Sequence, residues 1–195
     1  MEWEDYFYPN TETLINCFNE TNKEKLEVLE SIKYVENQSE LMLEEPRTDF
    51  TSEHVRYIHY RLFNGIYEWA GEYRLVDTFK EQTAFTKYSE IDIRLNLFLE
   101  EMNKVRIPKD KFEICRYLAT YYKGYNRIHP FREGNGRTGR ELIRELVLVR
   151  FPDYKIDYTK MNRNNFILGV KEESTYPELL AFEFYNALEE KSKIK

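Results

Sequence analysis

The chain has 195 residues, a formal net charge of −6, 42% hydrophobic residues and 33% charged residues. This hydrophobic content predicts a folded domain and excludes global disorder. The acidic balance argues against a general nucleic-acid-binding protein, which usually carries a basic face. Because the 7 glycines and 6 prolines are scarce, long helices are favoured over a turn-rich β fold.

The two cysteines lie far apart in the sequence, so neither a zinc site nor a disulfide framework is expected. We see no apolar run that could span a bilayer, and the acidic first residues lack the apolar segment of a secretory signal. A cytoplasmic protein is therefore expected, and delivery into another cell is left open.

Helical spacing of apolar residues predicts one domain built mainly from helices. Its core is expected at about 50–151, with an N-terminal helical part at 1–46 and C-terminal helices at 157–191. Helices are predicted over 23–45, from Ser52 to about Tyr67, from Ser89 to about Val105, from Asp110 to about Asn126, around 142–149, near 160–170 and near 177–191.

The stretch 73–88 has a different pattern from its helical neighbours. Tyr73, Leu75 and Val76 are typical of a short strand, and the apolar residues that follow alternate weakly. We therefore predict a small β-hairpin here, and an all-α fold class with this one hairpin beside the most informative loop.

That loop, residues 129–140, separates two strongly helical stretches. Three of the seven glycines fall within six residues of it, although glycine costs roughly 1 kcal/mol inside a helix. Gly134, Asn135 and Gly136 lead into a helix, whose first N–H groups and dipole attract anions. Arg137 and Arg140 are three residues apart and lie near one face of the first turns. The pattern predicts a polyphosphate site.

Glu133 and His129 complete this set. A carboxylate beside phosphates requires a cation, and Mg²⁺ accepts carboxylate and phosphate oxygens together. An imidazole can take the proton of an attacking hydroxyl near neutral pH. The alternative is structural, since a loop histidine and an R-x-x-R pair on a helix are common without function. The residues alone leave both interpretations open.

The segment HPFREGNGRTGR, residues 129–140, resembles the signature of the Fic family, HPFx(D/E)GNGRxxR, at every fixed position. Residues 50–74 resemble the helix and flap entry that precede the signature, and YFYPNTETL resembles a Y-x-Y-P-G-T segment, with Asn10 in place of glycine. The resemblance covers about residues 6 to 150. It implies a Fic-type helical bundle that transfers AMP from ATP, with Mg²⁺, to a Tyr, Thr or Ser hydroxyl of a target protein.

The resemblance also implies roles for single residues. His129 would be the base, Glu133 would bind Mg²⁺, and Phe131 would anchor the loop. The hairpin would be a flap that docks the target, although Glu81 and Gln82 replace the Gly-Gly that usually follows the flap lysine. Residues implied to contact the nucleotide are Gly134, Asn135, Gly136, Arg137 and Arg140 in the motif and, on the flap, Lys80, Thr83, Ala84 and Phe85.

Three other functions remain open. Doc-like relatives transfer the γ-phosphate and carry Ala-Asn-Lys where this chain has Gly134, Asn135 and Gly136, so Gly136 favours AMP transfer. Other phosphate-containing groups could be transferred by the same motif. A domain that binds nucleotide without catalysis is the alternative from another class.

Many relatives are inhibited by a glutamate of an S/T-x-x-x-E-G/N motif that contacts the second motif arginine. The matches from Ser174 to Glu178 and from Thr86 to Glu90 have the spacing but not the following Gly or Asn. We therefore expect the type controlled by a separate small antitoxin, whose glutamate would meet Arg140. The oligomeric state is not predicted.

Overall fold

The computed structural model describes residues 2–80, 83–171 and 178–192, which fold mainly into α-helices. The all-α prediction is confirmed. The helices in these ranges are α1 (Lys23–Leu41), α2 (Ser52–Phe63), α3 (Ile91–Lys104), α4 (Lys111–Ile128), α5 (Asn135–Arg150), α6 (Arg163–Val170) and α7 (Leu179–Ala187).

Helix α4 lies at the centre of the bundle. It packs against α3, α5, α6 and α7, while α2 packs against α1 and α5. Its aromatic residues Tyr121 and Tyr125 are almost fully buried, and Leu118 is completely inside. The amphipathic spacing seen in the sequence is therefore what places α4 and α5 side by side, with the 129–134 loop between them.

Helix boundaries differ from the predictions by a few residues. Thr51, not Ser52, caps α2, since its hydroxyl accepts from the His54 backbone N–H. The helix ends at Phe63 because Gly65, at φ 75°, turns the chain. Asp110 caps α4 as predicted and accepts two backbone N–H bonds. Helix α5 already begins at Asn135, so half of the predicted loop is helix.

The hairpin is present but smaller than predicted. Strand β1 (Phe79–Lys80) pairs with β2 (Thr83–Ala84) in antiparallel register, whereas 73–76 forms no strand. Glu81 and Gln82 lie outside the described residues. A second antiparallel pair, β3 (Tyr154–Ile156) with β4 (Leu188–Glu190), was not predicted. It ends the last predicted helix at Ala187.

None of the helices in the described ranges is both long and apolar enough to cross a membrane.

Candidate active site

His129 lies where α4 ends and the motif loop begins. Its backbone is in the left-handed region, at φ 50° and ψ 62°, and its N–H still bonds to the Tyr125 carbonyl at 3.1 Å. The ring stacks on Phe85 of the hairpin at 3.9 Å between centroids. Nδ1 lies 3.3 Å from the Asn126 carbonyl oxygen. Because a carbonyl only accepts, Nδ1 carries the proton in the neutral ring and Nε2 is the basic nitrogen.

The loop after His129 is closed by the side chain of Asn135. Its Oδ1 accepts from the Phe131 backbone N–H at 2.9 Å, and its Nδ2 donates to the Phe131 carbonyl at 2.8 Å. Phe131 itself is completely buried and stacks on the His59 ring at 3.8 Å. Phe131 is thus placed as the anchor that the resemblance implied, and the Asn135 side chain spans the loop from within.

Gly134 starts α5 with a left-handed backbone, at φ 77°. A Cβ at this position would lie 2.3 Å from the Phe63 ring, so only glycine fits. Within the described chain no side chain caps this helix start. Its first-turn N–H groups therefore point out of the helix with positive dipole character, as in known anion cradles.

Glu133 is the acidic residue nearest to this cradle. Its side chain is 47% exposed, and Oε1 accepts from the Gly134 backbone N–H at 2.8 Å. No group of three or more His, Cys, Asp and Glu residues that could hold a metal occurs in the part of the chain that the structure describes. A divalent ion at Glu133 would need other oxygens, which suits Mg²⁺ bound together with phosphates.

The side chains of the two motif arginines have different neighbours. Arg140 lines the cavity described below, and its guanidinium lies against the Tyr122 hydroxyl. Arg137 is not among the cavity-lining residues. It pairs with Glu30 of α1 and lies over the Phe63 ring, 4.6 Å from the centroid. The structure therefore brings Arg140, but not Arg137, to the cavity.

The cavity has a volume of about 710 Å³ and lies between the hairpin, the motif loop, α4 and α6. His129, Phe85, Asn135 and Gly136 line it together with Arg140. Although the chain has a net charge of −6, Glu133 is the single acidic residue among the described residues that line the cavity. The basic lining residues are Lys123, Arg127, Arg132, Arg140, Arg163 and Lys171. This charge distribution suits a polyanionic ligand.

Arg74 was missed by sequence reasoning. It is 1% exposed, and its guanidinium donates to the carbonyl oxygens of Val76 at 2.7 Å, His129 at 2.9 Å and Ile128 at 3.4 Å. A further bond goes to the Thr86 carbonyl. Arg74 thereby ties both ends of the hairpin segment to the start of the motif loop. Its place three residues after the W-A-G turn is the one signal in the sequence.

The ring of His59, a buried residue of α2, also holds the motif loop. Its Nδ1 accepts from the Gly71 N–H at 2.8 Å, so Nε2 carries the proton and donates to the Glu133 carbonyl at 3.1 Å. Burial lowers the pKa of His59 to about 3. The ring therefore stays neutral and connects the Gly71 backbone to the Glu133 backbone.

The hairpin also carries the other flap residues that the resemblance assigned to nucleotide contact. The backbones of Lys80 and Thr83 pair across the hairpin, and Ala84 is exposed. Of the two imperfect inhibitory matches, Glu178 pairs with Arg116 at 3.4 Å and Glu90 with Arg94 at 3.1 Å. The residues 174–177 before Glu178 lie outside the described residues.

The Fic/DOC family model matches residues 49–147, and the chain belongs to this family. It is 32% identical over 160 residues to the protein adenylyltransferase VbhT of Bartonella schoenbuchensis, covering 81% of this chain but 33% of VbhT. It is 29% identical to y4lH of Sinorhizobium fredii, named a probable protein adenylyltransferase, over 82% of each chain. The chain thus spans about a third of VbhT and most of y4lH.

Solved structures agree with the fold. The N-terminal Fic domain of a VirB-translocated Bep effector from Bartonella quintana, with bound ADP, superposes with a TM-score of 0.88 at 24% identity, covering 97% of this chain and 96% of that chain. BepC of Bartonella tribocorum, with bound AMPPNP, gives 0.87 at 20% identity, covering 96% and 98%. The Fic-type helical bundle predicted from the signature is confirmed.

Replacing Arg74 should destabilise the protein, because it removes the connection between the hairpin and the motif loop. Arg74→Met leaves four carbonyl groups without this donor, at about 1–3 kcal/mol each, so we expect the free energy of unfolding to fall by at least about 4 kcal/mol. Arg94→Met removes an exposed ion pair with Glu90 and should cost less than about 1 kcal/mol. Urea unfolding of both variants measures the difference. Equal losses would contradict the role given to Arg74.

His59 should make the protein acid-sensitive. The folded pKa of about 3 lies below the ordinary value of 6.5, so the unfolded chain binds the proton first as the pH falls. Stability contributed by the neutral ring is present above pH 6.5 and is lost towards pH 3, by up to about 1.4 kcal/mol per pH unit. Urea unfolding between about pH 7 and 4.5 should show a flatter profile for His59→Gln. If the stability of wild type and of His59→Gln fell in parallel with pH, His59 would not be the cause of the acid sensitivity.

Proposed function

We propose that this chain transfers AMP from ATP to a hydroxyl side chain of another protein. The observation that carries the proposal is one cavity that holds His129, the uncapped start of α5, Glu133 and Arg140 together. A base, an anion cradle, a metal carboxylate and a phosphate-binding arginine are the parts that nucleotidyl transfer requires. The named activity of VbhT, which shares 32% identity, supports the same choice.

The base in this reaction is His129. Its Nδ1 proton is directed at the Asn126 carbonyl, so Nε2 takes the proton of the acceptor hydroxyl. The acceptor oxygen forms a bond to the α-phosphorus, the bond from that phosphorus to the bridging oxygen breaks, and pyrophosphate leaves with the electron pair. The stacking of Phe85 on the imidazole fixes the ring plane during the transfer.

The nucleotide is held by groups of opposite charge. The N–H groups at the start of α5 bind the α- and β-phosphates, and Arg140 binds the γ-phosphate. Glu133 would hold Mg²⁺, and a bound ion would neutralise charge on the phosphates and on the leaving pyrophosphate. ATP and Mg²⁺ are abundant in the cytoplasm, where we place the reaction.

Gly136 favours AMP transfer over transfer of the γ-phosphate. A Cβ added to it would meet Arg140 Nη1 at 3.5 Å and the Tyr122 hydroxyl at 3.8 Å, which are ordinary contacts. The space beyond is therefore open in this chain. A lysine there, as in Doc-like relatives, would extend into the phosphate site beside Arg140.

Two partners complete the proposal. The target protein docks an extended segment against the β1–β2 hairpin, where Phe79 is 69% exposed. A small antitoxin supplies a glutamate to Arg140. The support is that no ion pair to Arg140 occurs within residues 2–80, 83–171 and 178–192, and that Glu178 and Glu90 pair elsewhere.

Position-specific labelling tests the reaction. When the purified chain is added to a lysate, label from α-³²P-ATP should appear on protein, and label from γ-³²P-ATP should not rise above the level that lysate kinases give with His129→Ala. His129→Ala should lower transfer by about 10²–10⁴-fold while ATP binding is retained, because the base acts on the acceptor. Transfer of the γ-label would assign the chain to the phosphotransferase branch. Binding of ATP without transfer of either label would assign it to the non-catalytic class.

Gly136 offers a matched pair of variants. Gly136→Ala should keep most of the transfer activity, since its Cβ has room. Gly136→Lys should abolish transfer of the α-label, because the ammonium occupies the phosphate site. Initial rates with α-³²P-ATP measure both. A fully active lysine variant would show that this space is not used by the nucleotide.

A further inference from the structure

The guanidinium of Arg137 has two carboxylates beside it. Nη1 pairs closely with Glu30 of α1, and Nη2 forms a longer ion pair, at 3.6 Å, with Oε1 of Glu133. Its plane is also packed near the rings of Phe63 at 4.6 Å and Tyr34 at 5.3 Å. Arg137 therefore lies behind the cavity wall, between the first helix and the carboxylate that faces the cavity.

Glu30 is the more buried of the two carboxylates. Its side chain is 14% exposed, against 47% for Glu133. The hydroxyl of Tyr67 donates to Glu30 Oε2 at 2.5 Å, and burial together with this carboxylate raises the pKa of Tyr67. Tyr67 thus remains a donor, and Glu30 is held at one oxygen by Tyr67 and at the other by Arg137.

We propose that Glu30 is a positioning residue that prevents Arg137 from closing its long pair with Glu133 and so leaves the Glu133 carboxylate to a divalent metal. The inference rests on the proposed function, in which Glu133 holds Mg²⁺. An ion pair shielded from water is stronger than an exposed one, so the buried Glu30 outcompetes the half-exposed Glu133 for the guanidinium.

Loss of the Glu30 charge changes this balance. Arg137 then has one charged carboxylate within reach, and a small movement of Nη2 shortens its 3.6 Å pair with Glu133 to a direct hydrogen-bonded contact. A metal ion must displace that pair before it can bind. The arrangement differs from inhibition at the phosphate site, because Glu30 contacts Arg137 outside the cavity and leaves Arg140 unchanged.

Metal binding to the nucleotide complex tests this directly. Mn²⁺ is titrated into protein with AMPPNP and followed by electron paramagnetic resonance, for wild type, Glu30→Gln and Glu27→Gln. Glu27 lies on the same helix and is exposed, which makes it the matched control. We expect the Mn²⁺ dissociation constant of Glu30→Gln to rise roughly threefold to fivefold, the size of one partly exposed ion pair, and that of Glu27→Gln to stay unchanged.

Two further readouts separate positioning from a general structural effect. Affinity for AMPPNP without metal should be the same in Glu30→Gln and wild type, and AMP transfer by the variant should return to the wild-type rate at raised Mg²⁺. If Glu30→Gln does not fold, Tyr67→Phe takes its place, since it loosens Glu30 while keeping the ring. It should raise the Mn²⁺ dissociation constant in the same direction by a smaller factor.

Equal Mn²⁺ dissociation constants in wild type and Glu30→Gln would overturn the inference. Weaker binding of AMPPNP without metal would also overturn it, because Glu30 and Arg137 would then act on the nucleotide. Wild-type protein that binds AMPPNP without any dependence on Mn²⁺ would instead overturn the role of Glu133 in the proposed function, and the inference with it.

Discussion

The buried guanidinium of Arg74 is the interaction on which the arrangement of the active site depends. A charged group inside a protein is costly unless its donors are satisfied, and here backbone carbonyls accept from it. These carbonyls belong to Val76 and Thr86 at the base of the hairpin and to Ile128 and His129 at the end of α4. The hairpin and the catalytic loop therefore have one fixed relation, although no regular secondary structure joins them.

The fixed position of the hairpin relative to the motif loop determines which face of the His129 imidazole is covered. With the His129 carbonyl held by Arg74, the ring lies flat under Phe85, and its Nδ1 meets the Asn126 carbonyl. A base oriented before the substrate arrives needs no reorganisation during the reaction. The same principle applies to Glu133, whose backbone is held by His59. Preorganisation here comes from residues that do not touch the ligand.

The sequence predicted the parts of the site that follow one another in the chain. Residues 129–140 carry the proposed base, the proposed metal carboxylate and the proposed cradle, and the helices on either side have clear periodicity. The contacts of Arg74 with the end of α4, and of His59 with Glu133, join residues more than fifty positions apart. A single sequence does not specify such pairs. Arg137 shows the same limit, because the helical spacing placed it near Arg140, whereas packing against Phe63 and Glu30 directs its side chain behind the cavity wall.

The pairing of the second strand pair could not be predicted from the sequence either. Strands β3 and β4 have three residues each and pair across more than thirty intervening residues, so alternation within either strand is too brief to recognise.

Two of the three clustered glycines of the motif are required for different reasons. Gly134 is required by its positive φ and by the Phe63 ring, whereas Gly139 is required by packing against Tyr125, so clustering indicated a ligand at only some of these positions.

Nitrogen-15 NMR of the His129 ring tests the central claim most directly, since the account depends on which nitrogen is basic. Ring nitrogen shifts and couplings, assigned by comparison with His129→Ala, distinguish the two neutral tautomers at a pH where the imidazole is uncharged. The account predicts protonated Nδ1 and unprotonated Nε2 in the wild-type protein, with the preference weakened in Arg74→Lys. A ring that carries its proton on Nε2 would contradict the assignment of His129 as the base that accepts the hydroxyl proton.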